Sequence, residues 1–194
     1  VHIFNSLALF AQATIYSILI SLTLVYLSPL PLIAPIANMI SKFRYLPLTG
    51  ISYYVSILIS DGRQIQISIL VIFMSTFLIT SLMASMKGID EDIDHARTLG
   101  CTRWEILLEV NIKGRIDHII ECIRQNLAIV WMSLVLVESI LASAGGLGFL
   151  IKNSDKFMNH GRIIALQTII LLVGLILDKV LTKSREMAFR YSKF

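Results

Sequence analysis

Asp117, His118, Glu121 and Cys122 recur at one-turn spacing on a single helical face, where carboxylate, imidazole and thiolate groups could share a metal ion. Polar residues at a membrane interface adopt the same spacing, and that is the simpler account, so no metal is expected. Glu138 is set inside a long apolar run, where an ionisable group is costly and marks a functional hypothesis by default. It could line a pathway or hold helices together through a hydrogen bond. The run Gly145-Gly146-Leu147-Gly148 could gate an opening or cap a helix, and it lacks the Lys of a phosphate loop. His2, His95, His118 and His160 are scattered, and neither His-Glu-x-x-His nor Gly-x-Ser-x-Gly occurs. A membrane enzyme, the main competing class, would need a nucleophile and base or a metal cluster in one cavity. An ATP-independent carrier or scaffold is a further alternative. Such a carrier is expected to show repeats or glycine-broken spans, and only one glycine cluster is present.

The elements that must position these groups are membrane helices. Soluble domains carry about 25% charged residues, whereas this chain of 194 residues is 15% charged and 56% hydrophobic. A spanning helix needs about 20 mostly apolar residues, which 4–27, 65–86, 123–144 and 163–181 supply or nearly supply. A fifth segment, 46–60, is shorter and carries Thr49, Gly50, Ser52, Tyr53 and Tyr54, so topology has to decide it. If it crosses, thirteen of the seventeen Lys and Arg residues fall on one side, leaving Arg63, Lys152, Lys156 and Arg162 on the other. That asymmetry marks the cytoplasmic side. The expected fold is therefore all-α and polytopic, one membrane domain over 1–194 with five spans. Segment 87–118 and the C-terminus then face the cytoplasm. The net charge of +4 follows from topology and headgroup contact, with no nucleic-acid partner implied. Cys101 and Cys122 both map to the reducing side, where a disulfide is not expected. The first span leaves the N-terminus outside with no signal peptide, so an upstream helix is expected to be missing.

Punctuation refines the layout. Ser28-Pro29-Leu30-Pro31 and Pro35 end the first span, and 36–43 reads as a short helix at the inner interface. Asp61-Gly62-Arg63 is a tight turn on the opposite side. The polar island 94–108 reads as helix, glycine corner, helix. Asp90, Glu91, Asp92 and Asp94 crowd a helix start, where orphan amides and the dipole favour carboxylates, and Gly100 stops that helix. Thr102 and Glu105 have capping-box spacing, so a second helix should run from Arg103, with Trp104, Leu107, Leu108 and Val110 along its apolar face. An ordinary charged surface loop is the alternative.

With these residues in place, the chain resembles the membrane-spanning permease subunit of bacterial ATP-binding-cassette (ABC) importers, in the branch for nitrate, sulfonates, taurine and bicarbonate. The family motif Glu-Ala-Ala, three residues, Gly is matched by Asp94, His95, Ala96 and Gly100, and a following Arg-Trp by Arg103 and Trp104. An Ala-Glu pair is matched by Val137-Glu138, and a Gly-hydrophobic-Gly-aromatic-Leu run by Gly146-Leu147-Gly148-Phe149-Leu150. The match is firm over about 89–151. It departs in the shorter acid Asp94, in His95 for alanine, and in Lys113 and Asp117 at two customary prolines.

The resemblance implies six spans in the family and a coupling helix, with Asp94, His95, Ala96, Leu99, Gly100, Arg103 and Trp104 docking on a cytoplasmic ATP-binding subunit. Small residues at 96 and 100 would allow close approach. Glu138, Gly146 and Gly148 become pathway or gate candidates. The partners implied are two ATPase subunits, a second permease copy as a homodimer, an external solute-binding protein and the bilayer of the inner membrane. No cofactor is implied in this chain, ATP and Mg being bound by the partner, and no catalysis is its own. The solute itself is not legible.

Overall fold

Small residues recur along one side of the first helix, α1 (His2–Leu27), where Ser6, Ala13, Ser17 and Ser21 are fully buried. Their size lets a neighbouring backbone approach closely, and beside Ser17 and Ser21 that neighbour is α4 (Gly62–Met86). The hydroxyls of Ser17 and Ser21 donate to the carbonyls of Val71 and Ser75, both at 3.4 Å. The two contacts keep one sequence offset, so α1 and α4 run parallel. The computed structural model describes residues 2–28, 34–86, 90–102, 105–106, 114, 116–141 and 145–188.

Parallel helices oblige the intervening chain to cross back. It does so through α2 (Ala34–Lys42), a 3₁₀ turn (Phe43–Tyr45) and α3 (Leu48–Leu58). Ala37 of α2 packs with Val25, Leu82 and Ile119 at one end of the bundle, whereas Ile51 and Val55 of α3 join Leu9, Phe10, Ile65 and Ile69 toward the other. The chain thus returns along the bundle between α1 and α4, and the helix in that return is shorter than 46–60 suggested. Its 11 residues reach about 16 Å, half the hydrocarbon thickness. Pro47 fixes its start, and extended Ile59 (φ −123°, ψ 131°) ends it.

Past α4 come α5 (Asp90–Thr98), α6 (Ile116–Ile140), α7 (Leu147–Lys156) and α8 (His160–Ala188). Gln66 donates to Leu141 O at 2.7 Å and Asn126 to Ser81 Oγ at 3.0 Å, contacts that run in opposite order and make α4 and α6 antiparallel. Trp131 Nε1 donates to Ile170 O at 3.1 Å and Arg124 reaches Asp178, so α6 and α8 are antiparallel too. Four helices, α1, α4, α6 and α8, are long and apolar enough to cross a membrane. The core gathers around α4, whose Ile69, Leu70, Met74, Leu78 and Ile79 are fully buried. Trp131 meets Phe10 edge-on at 5.4 Å, and Gly174 lies beside its indole, where a Cβ would come within 3.1 Å. The far side of α8 keeps Ile164, Leu171, Leu172, Leu175, Ile176 and Val180 exposed.

The end of the bundle holding Val25 and Leu82 also carries α5 and the end of α8, and is called here the basic end. The other holds the glycine cluster.

Candidate functional site

The described part of the polar island, 94–102 with 105–106, has the expected form: a helix, a glycine corner and the start of a second helix. After α5 the chain turns through Gly100 (φ +81°), whose N–H donates to Arg97 O at 3.0 Å while Cys101 N–H donates to Ala96 O at 3.1 Å. That pair of bonds is the Schellman stop, and the left-handed φ is what requires glycine. Among the described residues, nothing lies within 4 Å of the position of a Cβ on Gly100, and the left-handed backbone is what accounts for glycine here. Thr102 N–H then donates to Glu105 Oε2 at 2.7 Å, the Thr102 hydroxyl to the same oxygen at 2.9 Å, and Glu105 N–H to Thr102 Oγ at 3.4 Å. The capping box is complete, and Ile106 N–H to Thr102 O (3.0 Å) opens the next turn. Asp94 and Arg97 pair at 3.1 Å on the surface. His95, Leu99 and Gly100 are exposed, Leu99 at 82%, and Ala96 is half-buried. Arg103, Trp104, Leu107, Leu108 and Val110 lie outside the described residues.

The two Thr102 bonds, the backbone N–H foremost, hold the Glu105 carboxyl below the usual carboxylate range. A depressed folded value means that the box stabilises the elbow above the ordinary glutamate range and fails as pH falls through the depressed value. Hydrogen-exchange protection at Thr102 is expected to persist at neutral pH, to be lost as pH falls through the depressed value, and to be weak at all pH in Glu105→Ala. Equal protection at neutral pH in the parent and Glu105→Ala would count against the box.

At the glycine end, Glu138 is 1% exposed and fully engaged. Ser6 Oγ donates to its Oε1 at 2.6 Å and Gly148 N–H to its Oε2 at 2.9 Å, while Leu147 N–H donates to Ser6 Oγ at 3.0 Å. The orphan amides at the start of α7 thus meet a carboxylate, as a helix N-terminus favours. His2 Nδ1 accepts from Gly146 N–H at 3.4 Å. Gly146 (φ +120°) and Gly148 are glycine because the α6 backbone and Glu138 occupy the space a side chain would need. Of the two roles open to Glu138, the geometry is that of a clamp joining α1, α6 and α7. Asn5, Leu9, Arg63, Gln66, Glu138 and Gly145 line a cleft beside it, with room for about one water.

The face bearing Asp117, His118, Glu121 and Cys122 is put to ion pairing. Arg185 donates to both carboxylate oxygens of Asp117 (2.8 and 3.1 Å) and to Glu121 Oε2 (2.6 Å). Arg124 grips Glu121 (2.7 and 3.1 Å) and reaches Asp178 Oδ1 at 2.7 Å. Asp178 is therefore paired. Cys122 donates to Ser81 O at 3.8 Å. The network ties the start of α6 to the end of α8. Arg185→Ala is expected to cost about 1 kcal/mol, lowering Tm by about 2–4 °C, since the groups keep partial solvent contact. Arg185→Lys should recover little, because an ammonium cannot fork across two carboxylates. A Tm unchanged in both variants would show the network to be energetically idle.

Ser6 and Arg185 carried no signal of their own in the sequence. The only hint of Ser6 was its place in the small-residue seam Ser6, Ala13, Ser17, Ser21.

No family model matches the chain. It is 31% identical over 128 residues to a putative ABC transporter permease protein of Methanocaldococcus jannaschii, an alignment covering 64% of this chain and 48% of the relative. It is 27% identical over 137 residues to the taurine transport system permease protein TauC of Escherichia coli K12, covering 69% and 50%. The chain thus spans about half the length of the curated relatives it matches. Among solved structures it superposes on an amino acid ABC transporter crystallised with histidines at TM-score 0.82, 18% identity, covering 96% of this chain and 92% of that one. An inward-facing MetNI methionine ABC transporter gives TM-score 0.73, 14% identity and coverage of 97% and 93%.

Proposed function

From the ABC transporter permease fold that this chain carries and its similarity to a taurine permease, we propose that it is the membrane-spanning subunit of an ATP-driven importer of a small polar solute. It works as a pair of copies in the bacterial inner membrane. Two cytoplasmic ATP-binding subunits supply the energy and bind ATP and Mg, an external solute-binding protein delivers the solute, and the C-terminus is cytoplasmic. This chain is not itself catalytic.

The observation that carries the reading is the elbow at the basic end. It is stopped by a Schellman turn, restarted by a capping box, and presents Leu99 to solvent. A lever that transmits force must be short and stiff, and the corner of this one is fixed on both sides by hydrogen bonds. Asp94, His95, Ala96, Leu99 and Gly100 form its docking surface, with Arg103 and Trp104 assigned to it from sequence. An exposed leucine at a helix tip favours burial against a partner.

Purification in mild detergent is expected to bring down a nucleotide-binding subunit in stoichiometric amount. Leu99→Asp is expected to reduce that recovery at least about tenfold. A solitary, ATP-indifferent protein would refute the importer reading. Undiminished recovery with Leu99→Asp would refute the docking assignment alone.

A further inference from the structure

At 3.6 residues per turn, positions 12, 16, 19 and 23 of α1 fall within about 60° of arc, and Gln12, Tyr16, Leu19 and Thr23 are all exposed. Asn5 continues the line to the glycine end, where it borders the cleft beside Arg63 and Gln66. Thr23 donates its hydroxyl to Leu19 O at 2.7 Å. Among the described residues, no hydrogen bond reaches the Gln12 carboxamide or the Tyr16 hydroxyl.

Gln12 sits about 15 Å along α1 from its first residue, near mid-thickness of a bilayer. An unpaired carboxamide facing hydrocarbon there costs several kcal/mol, so lipid is a poor neighbour for this face. A packed helix interface is also a poor match. Close helix packing in membranes selects small residues, and α1 already places Ser17 and Ser21 of its small seam against α4. The opposite face instead carries polar groups at successive depths from Asn5 to Thr23, over about 27 Å. On α8 the contrast is clear, since exposed Gln167 and Thr168 lie together nearer the helix start, and Leu171, Leu172, Leu175, Ile176 and Val180 are exposed beyond them.

Building on the importer reading, we infer that the Asn5–Gln12–Tyr16–Thr23 face of α1 lines a water-filled solute path and meets the solute with uncharged hydrogen-bonding groups. The stripe holds no Lys, Arg, Asp or Glu. It suits a small polar solute held by hydrogen bonds weak enough to release it.

The test uses the whole protein in proteoliposomes, with Cys101→Ser and Cys122→Ser removing both native thiols. Single cysteines are placed by Gln12→Cys and Tyr16→Cys, with Leu172→Cys on the apolar face of α8 as reference. Membrane-impermeant methanethiosulfonates are applied from both sides. Because the reactive thiolate needs water, the two α1 sites are expected to react at least about tenfold faster than Leu172→Cys. Rates as slow as the reference, whether from lipid or from a covering protein surface, would overturn the inference. So would fast labelling at all three sites. Anionic and cationic reagents should differ by no more than about threefold on an uncharged face, and a strong preference would overturn the chemistry assigned to it. Labelling requires neither ATP nor a partner subunit. A wetted stripe without a co-purifying ATPase would sink the importer reading and leave the wetted face standing, and a dry stripe with the ATPase present would do the reverse.

Discussion

Gly148→Ala is expected to lower the thermal midpoint of the purified protein by about 6–12 °C, corresponding to a loss of about 3 kcal/mol or more. A Cβ at this position would overlap the Val135 carbonyl oxygen and come within 2.8 Å of Ser139 N and 2.9 Å of Glu138 Cβ. Two of those three atoms are α6 backbone and cannot swing aside, so α7 must retreat. Retreat breaks the Gly148 N–H bond to Glu138 and the Leu147 N–H bond to Ser6. It leaves a carboxylate that is 1% exposed with one partner fewer, in a setting where an uncompensated charge is strongly destabilising. Ser6→Ala removes one donor without overlap and should cost only about 1–2 kcal/mol. Gly161→Ala is the control, because only Asn159 Oδ1 at 3.9 Å lies near its Cβ position, and its midpoint should hold. A Gly148→Ala protein as stable as this control would show that the clamp does not hold the glycine end together.

Gly100→Val is expected to abolish ATP-driven uptake while leaving insertion and the midpoint of the bundle nearly unchanged. The residue is exposed with open space around it, so the bundle core does not register the change. The backbone does, since a β-branched residue resists φ +81° at a cost of about 1–3 kcal/mol. The last turn of α5 then relaxes, and Leu99 and the Thr102 cap lose their relative aim. Gly100→Asn separates two explanations, because asparagine tolerates the left-handed region better. Uptake recovered with Asn assigns the glycine to the bend, whereas loss with both Asn and Val assigns it to close approach by the partner. The measurement is uptake into proteoliposomes carrying the co-purified ATPase, over a panel of small polar solutes beginning with taurine. Full uptake by the Val variant would remove the elbow from the transport cycle.

Local patterns were readable wherever a few consecutive residues decide the outcome. The four long spans follow from runs of apolar residues, and the elbow from Gly100 and the Thr102–Glu105 spacing, because helix stops and caps are settled by bonds between residues three to five apart. The fifth segment was kept by counting charges, and its helix is short. Hydropathy averages composition and does not sense that Pro47 and Ile59 bound the helical turns.

The acid at 138 marked itself as unusual, but its partner Ser6 lies 132 residues away, and no local pattern points from one to the other. The same holds for Asp117 and Arg185, 68 residues apart. On α6 the spacing of Asp117, His118, Glu121 and Cys122 fitted a metal face or, more simply, an interfacial polar face, and nothing in it pointed to Arg185. By itself, then, the sequence determined the membrane class, the four long apolar helices and the glycine corner with its capping box, all of which rest on composition or on contacts within one or two helical turns. Tertiary structure alone decided that Glu138 clamps three helices, that the α6 carboxylates belong to Arg124 and Arg185, and which side of α1 is a buried seam and which an open polar stripe. Those outcomes depend on which helices become neighbours, and that is fixed by how all their faces pack at once.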